Sequence, residues 1–196
     1  MKKILMIAVM MTAALTASAQ MEEGTFSFMP KVGYNHADIS GGKDFVDNKG
    51  GVAAGFELEY KVASWFGISA GAMYEQEGWK YKEGSEKQEN EYINVPVMAK
   101  FYVWKGLSFN TGLQAGFLTK AKGAFEKEDL NKFDFSIPFS ISYEFPFGLN
   151  LELRYYNSLT DVVKDVDPSY STRHWWDDSM NKNRTLQVSV GYKFQL

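Results

Sequence analysis

"TLQVSVGYKFQL", residues 185–196, puts Leu186, Val188, Val190, Tyr192, Phe194 and Leu196 on one parity and Gln187, Ser189, Gly191, Lys193 and Gln195 on the other. Successive side chains of an extended chain point to opposite faces, so this is a strand with one apolar and one polar face. The last residues of a soluble domain usually fray into water. A run that ends on its most apolar positions instead predicts a strand facing hydrocarbon, with a backbone partner on each side.

Seven more runs of the same period precede it, namely "FSFMPKVGYNHA" from Phe26, "GVAAGFELEYKV" from Gly51, "FGISAGAMYEQ" from Phe66, "YINVPVMAKFYVW" from Tyr92, "LSFNTGLQAGFLT" from Leu107, "FDFSIPFSISYEF" from Phe133 and "LNLELRYYNSL" from Leu149. Each is about ten residues or slightly longer, the reach of a tilted membrane strand. Runs two, four and six are followed by the brief turns "ASW", "KG" and "PFG", whereas runs one, three, five and seven lead into long polar segments. An even strand count with short turns at one end and long loops at the other predicts an all-β, eight-stranded antiparallel transmembrane up-and-down β-barrel with both termini at the short-turn, periplasmic end.

The two faces differ in bulk. One parity carries Phe56, Leu58, Tyr60, Phe101, Phe109, Phe117, Phe139, Leu153 and Tyr155; the other carries Gly33, Gly55, Gly67, Gly71, Gly112, Gly116 and Gly191. An eight-stranded barrel has an interior just wide enough for side chains, so the glycine face goes inside and the aromatic face meets lipid. The glycine face also holds Glu57, Glu59, Glu75, Asp134, Glu144 and Glu152 against Lys31, Lys61, Lys100, Arg154 and Lys193. Buried charges must be paired, so these eleven are expected to form a structural charge network in a filled lumen. A lipocalin-like soluble ligand carrier, with its apolar face inward, is the alternative that the glycines disfavour. Aromatics near strand ends, Trp65, Trp104 and Phe147 at one level and Tyr34, Tyr74, Tyr92, Phe117 and Tyr155 at the other, are expected to form interfacial girdles.

The first residues, "MKKILMIAVMMTAALTASAQ", combine two lysines, a short apolar run and Ala17-Ser18-Ala19. This predicts a signal peptide over residues 1–19, cleaved before Gln20, and a barrel domain over 20–196. The apolar run is shorter than the ~20 residues a membrane helix needs. Losing Lys2 and Lys3 takes the formal charge from −3 to −5, which argues against nucleic acid as a partner. There is no Cys, so no disulfide staples the exported chain.

"GVAAGFELEYKVASWFGISAGAMYEQEGWKY", residues 51–81, resembles the strand pair G-F-x-x-E-Y…F-x-I-x-x-G-x-x-Y-x-x-x-G of the PorT-like outer-membrane β-barrel domains of Bacteroidetes. "YINVPVMAKFY", residues 92–102, is similar to the same family's Y-I-x-V-P-x-x-x-K-F/Y segment, with Pro96 and Lys100 in place. The resemblance implies a small OmpA/OmpX-type barrel. The best-known member of the family assists secretion across the outer membrane, but the shared motifs describe barrel construction and do not carry that role over.

Tyr192, Phe194 and Leu196 resemble the terminal signal read by the barrel assembly machinery. For surface binding, Tyr170, Arg173, Trp175 and Trp176 in the longest loop have hot-spot chemistry. Lys80, Lys82, Lys120, Lys122 and Lys132 are placed to meet lipopolysaccharide phosphates. A lipid A-modifying enzyme would have to use His36 with Asp38 and Ser40, or His174 with Ser171 or Ser179 and Asp177 or Asp178. No recognised catalytic motif supports it. The loop acids match no calcium-loop spacing. The expectation is therefore a monomeric, non-enzymatic barrel without cofactor or metal, surrounded by outer-membrane lipid and lipopolysaccharide, presenting loops to a secretion or surface protein partner.

Overall fold

The computed structural model describes residues 22–40, 46–82, 87–164 and 182–196. The signal-peptide segment and the loop candidates Tyr170, Arg173, His174, Trp175 and Trp176 lie outside the described residues. The strands are β1 (Phe26–Ile39), β2 (Val46–Ala63), β3 (Phe66–Tyr81), β4 (Lys87–Trp104), β5 (Leu107–Lys122), β6 (Phe133–Glu144), β7 (Leu149–Ser158), β8 (Asn183–Tyr192) and a two-residue β9 (Phe194–Gln195). Each pairs antiparallel with its neighbour, and β1 pairs with both β2 and β8, so the sheet closes into an eight-strand barrel with no free lateral edge. Closure matters for a span without disulfides, because every backbone group within a membrane must be satisfied internally.

β9 continues β8 in one register: Lys31 faces Gly191 and Phe28 faces Phe194. That register sets Pro30 opposite Tyr192. Proline has no N–H to give the ladder, which accounts for the break at this point in the run 185–196. The main chain resumes pairing beyond it, with Leu196 N–H donating to the Phe26 carbonyl at 2.8 Å.

The tight turns follow from residue chemistry. Between β4 and β5, Lys105 and Gly106 both have positive φ, 32° and 89°, as a two-residue hairpin turn demands. Gly112 meets a different constraint: a Cβ there would strike the Val97 carbonyl and lie 2.8 Å from Met98 Cα. β4 and β5 approach each other too closely at this point for any side chain.

The outward face is apolar at the level of the bilayer. On β3 it runs through Phe66, Ile68 and Tyr74 before giving way to Gln76 and Lys80. Aromatic contacts join neighbours at the short-turn end, where Trp65 stacks on Phe101 and Phe66 packs against both. Tyr143, Phe145 and Phe147 form a second chain.

Two expectations are corrected. The strands are not all about ten residues: β1 to β5 run 14, 18, 16, 18 and 16 residues. Their outer ends absorb "VDNKG", "EGWKY" and "KQENE", whose polarity reads as loop. Above the lipid the outward positions meet water, so the apolar half of the alternation vanishes while the ladder continues. Cross-strand pairs of opposite charge, Asp47 with Lys80, Glu89 with Lys122 and Glu91 with Lys120, favour that extension. Tyr92 is not a girdle residue. It shares the parity of Lys100, faces inward and is 1% exposed.

Candidate functional site

The lumen is filled in three levels. In the lower level, β2 contributes Glu57, Glu59 and Lys61 at alternate positions; the two carboxylates meet cations from other strands, and Lys61 meets the ring of Tyr102. Lys31 on β1 lies 3.4 Å from Glu57 and 3.1 Å from Glu152. Lys100 on β4 bridges Glu57 and Glu59, the latter at 2.9 Å. Lys193 contacts Glu59 at 2.9 Å and Glu144. Arg154 Nε is 2.7 Å from Glu152 Oε1, an ion contact with the N–H out of line for a hydrogen bond, and its Nη2 is 3.7 Å from Glu57. Tyr102, absent from the sequence reading, donates its hydroxyl to Glu59, and the Lys61 ammonium sits 3.1 Å from its ring centroid. Below this level a cavity of about 780 Å³ opens at the short-turn end, lined by Lys61, Tyr102, Glu144 and turn residues including Trp65 and Lys105.

The middle level is different. Glu75 and Glu77, two inward positions in succession on β3, share the hydroxyl of Tyr156, which is 2.8 Å from Glu77 Oε1 and closer to Glu75 Oε2. Asn94 Nδ2 donates to Glu75 Oε2 at 2.9 Å and to Glu77 Oε1 at 3.4 Å, and Gln187 Nε2 donates to Glu75 Oε1 at 3.1 Å. Asp134 accepts from Ser158 and Thr160, both at 2.6 Å. Thus Glu75 and Asp134, grouped by sequence with the charge network, are held here by neutral donors. Among the described residues no Lys or Arg comes within ion-pair distance of these three acids, and no group of acids and histidines is arranged to hold a metal.

The upper level is apolar. Trp79, Tyr92, Leu118, Leu130 and Val162 form a buried cluster, with Ile39, Val46, Tyr81 and Phe125 packed against it. Two connections fold inward to complete it. Leu130 and Val163 form a bridge, Asn131 N–H donates to the Val162 carbonyl at 2.8 Å, and Lys164 N–H donates to the Asp129 carbonyl at 2.9 Å. Gln88 fastens the first connection from inside the barrel, donating to the Phe125 carbonyl at 3.1 Å and accepting from Phe125 N–H at 3.0 Å. An apolar plug of this kind excludes water from the chamber beneath it.

Outside the plug, the extended hairpins carry mixed charge. Lys87 lies 2.9 Å from Glu89, Lys120 lies 3.6 Å from Glu91, and Lys80, Lys82, Lys122 and Lys132 are exposed. The hydrogen bond from Lys87 holds the Glu89 carboxyl below its usual range. The described residues of the lipid A-modifying alternative are each engaged by a different neighbour. His36 is bonded to Asn48 at 2.6 Å, Asp38 to Arg184 at 3.1 Å, and Ser40 accepts from Lys182 N–H at 3.1 Å.

Sequence reading missed Glu77, Tyr156, Asn94 and Gln187. Parity alone puts Tyr156 beside Arg154 on the inner face, a signal that was available. Glu77 lies in "EGWKY", whose polarity reads as loop.

A closed, sealed, eight-strand antiparallel barrel with an apolar belt defines a small outer-membrane β-barrel protein. The sequence matches the family model described as "Outer membrane protein beta-barrel domain" over residues 18–164, and the chain belongs to that family. Among solved structures it is similar to Ail, the attachment invasion locus protein of Yersinia pestis, with 15% identity, 88% of this chain and 100% of that chain covered, and a TM-score of 0.52. It is similar also to Neisserial surface protein A (NspA), with 14% identity, the same coverages and a TM-score of 0.51. At these identities the likeness concerns the fold. No curated protein matches the sequence. The family assigns the chain to the outer membrane.

Proposed function

We propose that this protein is a monomeric scaffold of the outer membrane that works from its outer surface, presenting extended hairpins and the segment over residues 160–184, which the sequence predicts as its longest loop, to a protein partner. The observation that carries this reading is the lumen, occupied from the ion network to the plug. A barrel so filled has no room for a solute path, which leaves the outer rim and loops as the working surface. The resemblance of residues 51–81 and 92–102 to PorT-like domains supports the barrel construction, and a secretion protein is one of the partners that the test below can return. Tyr170, Arg173, Trp175 and Trp176 supply the aromatic and guanidinium chemistry that such contacts favour. Lys80, Lys82, Lys120, Lys122 and Lys132 meet the phosphates of surrounding lipopolysaccharide. Export by a signal peptide cleaved before Gln20, and assembly through Tyr192, Phe194 and Leu196, complete the reading.

The test is chemical crosslinking in intact outer membranes, followed by affinity recovery of the protein. A specific surface or secretion protein recovered with the wild type and lost from a Trp175→Ala/Trp176→Ala variant supports the proposal. Equal recovery from both, or lipid alone from both, overturns it.

A further inference from the structure

Tyr156 has one hydroxyl hydrogen and two carboxylate neighbours. It can donate to only one of them, so the second contact requires a hydrogen on the other carboxyl. The donors are distributed unequally. Glu75 receives Asn94 Nδ2 at 2.9 Å and Gln187 Nε2 at 3.1 Å besides Tyr156. Besides Tyr156, Glu77 receives only the long 3.4 Å contact from Asn94, and its Oε2 has no partner although the residue is 2% exposed. A buried carboxylate oxygen without a donor is costly, whereas the carbonyl oxygen of a neutral carboxylic acid tolerates it far better.

We infer that Glu77 is a proton-binding site: it carries a proton at neutral pH, donates it to the Tyr156 oxygen, and Tyr156 in turn donates to a charged Glu75. No bond is broken and no charge is created in this relay; one proton is held among three residues beneath the plug. The surroundings fit. β6 faces the pair with Asp134, a further acid, and β4 and β8 face it with the neutral Asn94 and Gln187. Tyr92 is bonded to Asn183 from above. Arg154, the next inward residue below Tyr156 on β7, is engaged by Glu152 and Glu57. Releasing the proton leaves two adjacent anions in a closed chamber next to the apolar cluster that contains Trp79.

The sign of the pH effect follows. The folded chain holds a proton that the unfolded chain releases above the ordinary carboxylate range, so folding takes up a proton there. Stability contributed by this site then falls as pH rises, until the folded protein releases the proton as well. Replacing Glu77 by Gln supplies a fixed N–H donor to Tyr156 and removes the dependence.

The full chain, refolded in lipid vesicles, is examined by infrared spectroscopy in neutral and alkaline buffer, and its urea midpoint is followed over the same range. The expected results are a protonated-carboxyl band in the wild type at neutral pH that is lost in Glu77→Gln and kept in Asp134→Asn, and a urea midpoint that falls less steeply with pH in Glu77→Gln. A wild type without the band, a band that Glu77→Gln leaves intact, or equal pH slopes overturns the inference. If Glu77→Gln does not fold, Glu77→Asp takes its place, and a band that it leaves unshifted overturns the inference.

Discussion

Lys100 contacts two carboxylates from adjacent inward positions of β2, Glu57 and Glu59, and is itself 2% exposed. Removing one member of a buried ionic group leaves its partners uncompensated, at a cost of about 3–5 kcal/mol. Lys100→Met is expected to lower the stability of the refolded barrel by that amount, measured by urea unfolding in vesicles. Adding Glu57→Gln to it recovers part of the loss. Such residues are legible in a sequence because a charge on the glycine parity of a membrane strand has nowhere to go but the axis. Tyr102 and Tyr156 are harder to read. A tyrosine suits either face of a strand, and only its parity relative to Lys100 or Arg154 distinguishes the lumen from the girdle. The Glu77 carboxyl was hidden for another reason: its neighbours Gln76 and Lys80 face water, so polarity stops alternating there.

At the scale of elements, the plug depends on β3, β4 and β5 rising beyond the lipid to carry Trp79, Tyr92 and Leu118. Among the described residues Trp79 is the largest of the fully buried side chains, and its truncation to Ala is expected to cost about 3–5 kcal/mol. The readout is local. In Trp79→Ala, limited proteolysis cuts residues 123–132 faster than in the wild type, while the membrane-embedded strands stay protected. Gly112 makes the opposite point, because there any added volume strikes the Val97 main chain. Gly112→Val is expected to reduce the heat-modifiable folded band on gel electrophoresis, whereas Leu113→Val, on the lipid face, leaves it unchanged. Strand existence and facing were readable from period and bulk. Strand length was not, because the forces that extend β2 to β5 are cross-strand charge pairs and an interior cluster, and both depend on a register that one sequence does not reveal.

For the whole molecule, the three levels of the lumen act in series. An ion network, a chamber of acids and amides and an apolar stopper each block a continuous water column. Planar-bilayer recordings are expected to show no porin-like steps, and vesicles containing the protein are expected not to swell in sugar solutions. Large, regular conductance at neutral pH would contradict the sealed reading. Sealing also explains how a chain without cysteine stands alone: closure and internal pairing provide what disulfides provide in small secreted domains.

The rim of this barrel is uneven. β2 and β4 reach 18 residues each, whereas β6 and β7 on the far side have 12 and 10. Among the described strands the outer ends therefore stand at unequal heights around the axis. A proline placed at the outer end of β2 or β4 thus falls above the lipid, whereas at the same end of β6 or β7 it strikes the embedded ladder, where a lost N–H has no water to replace its partner.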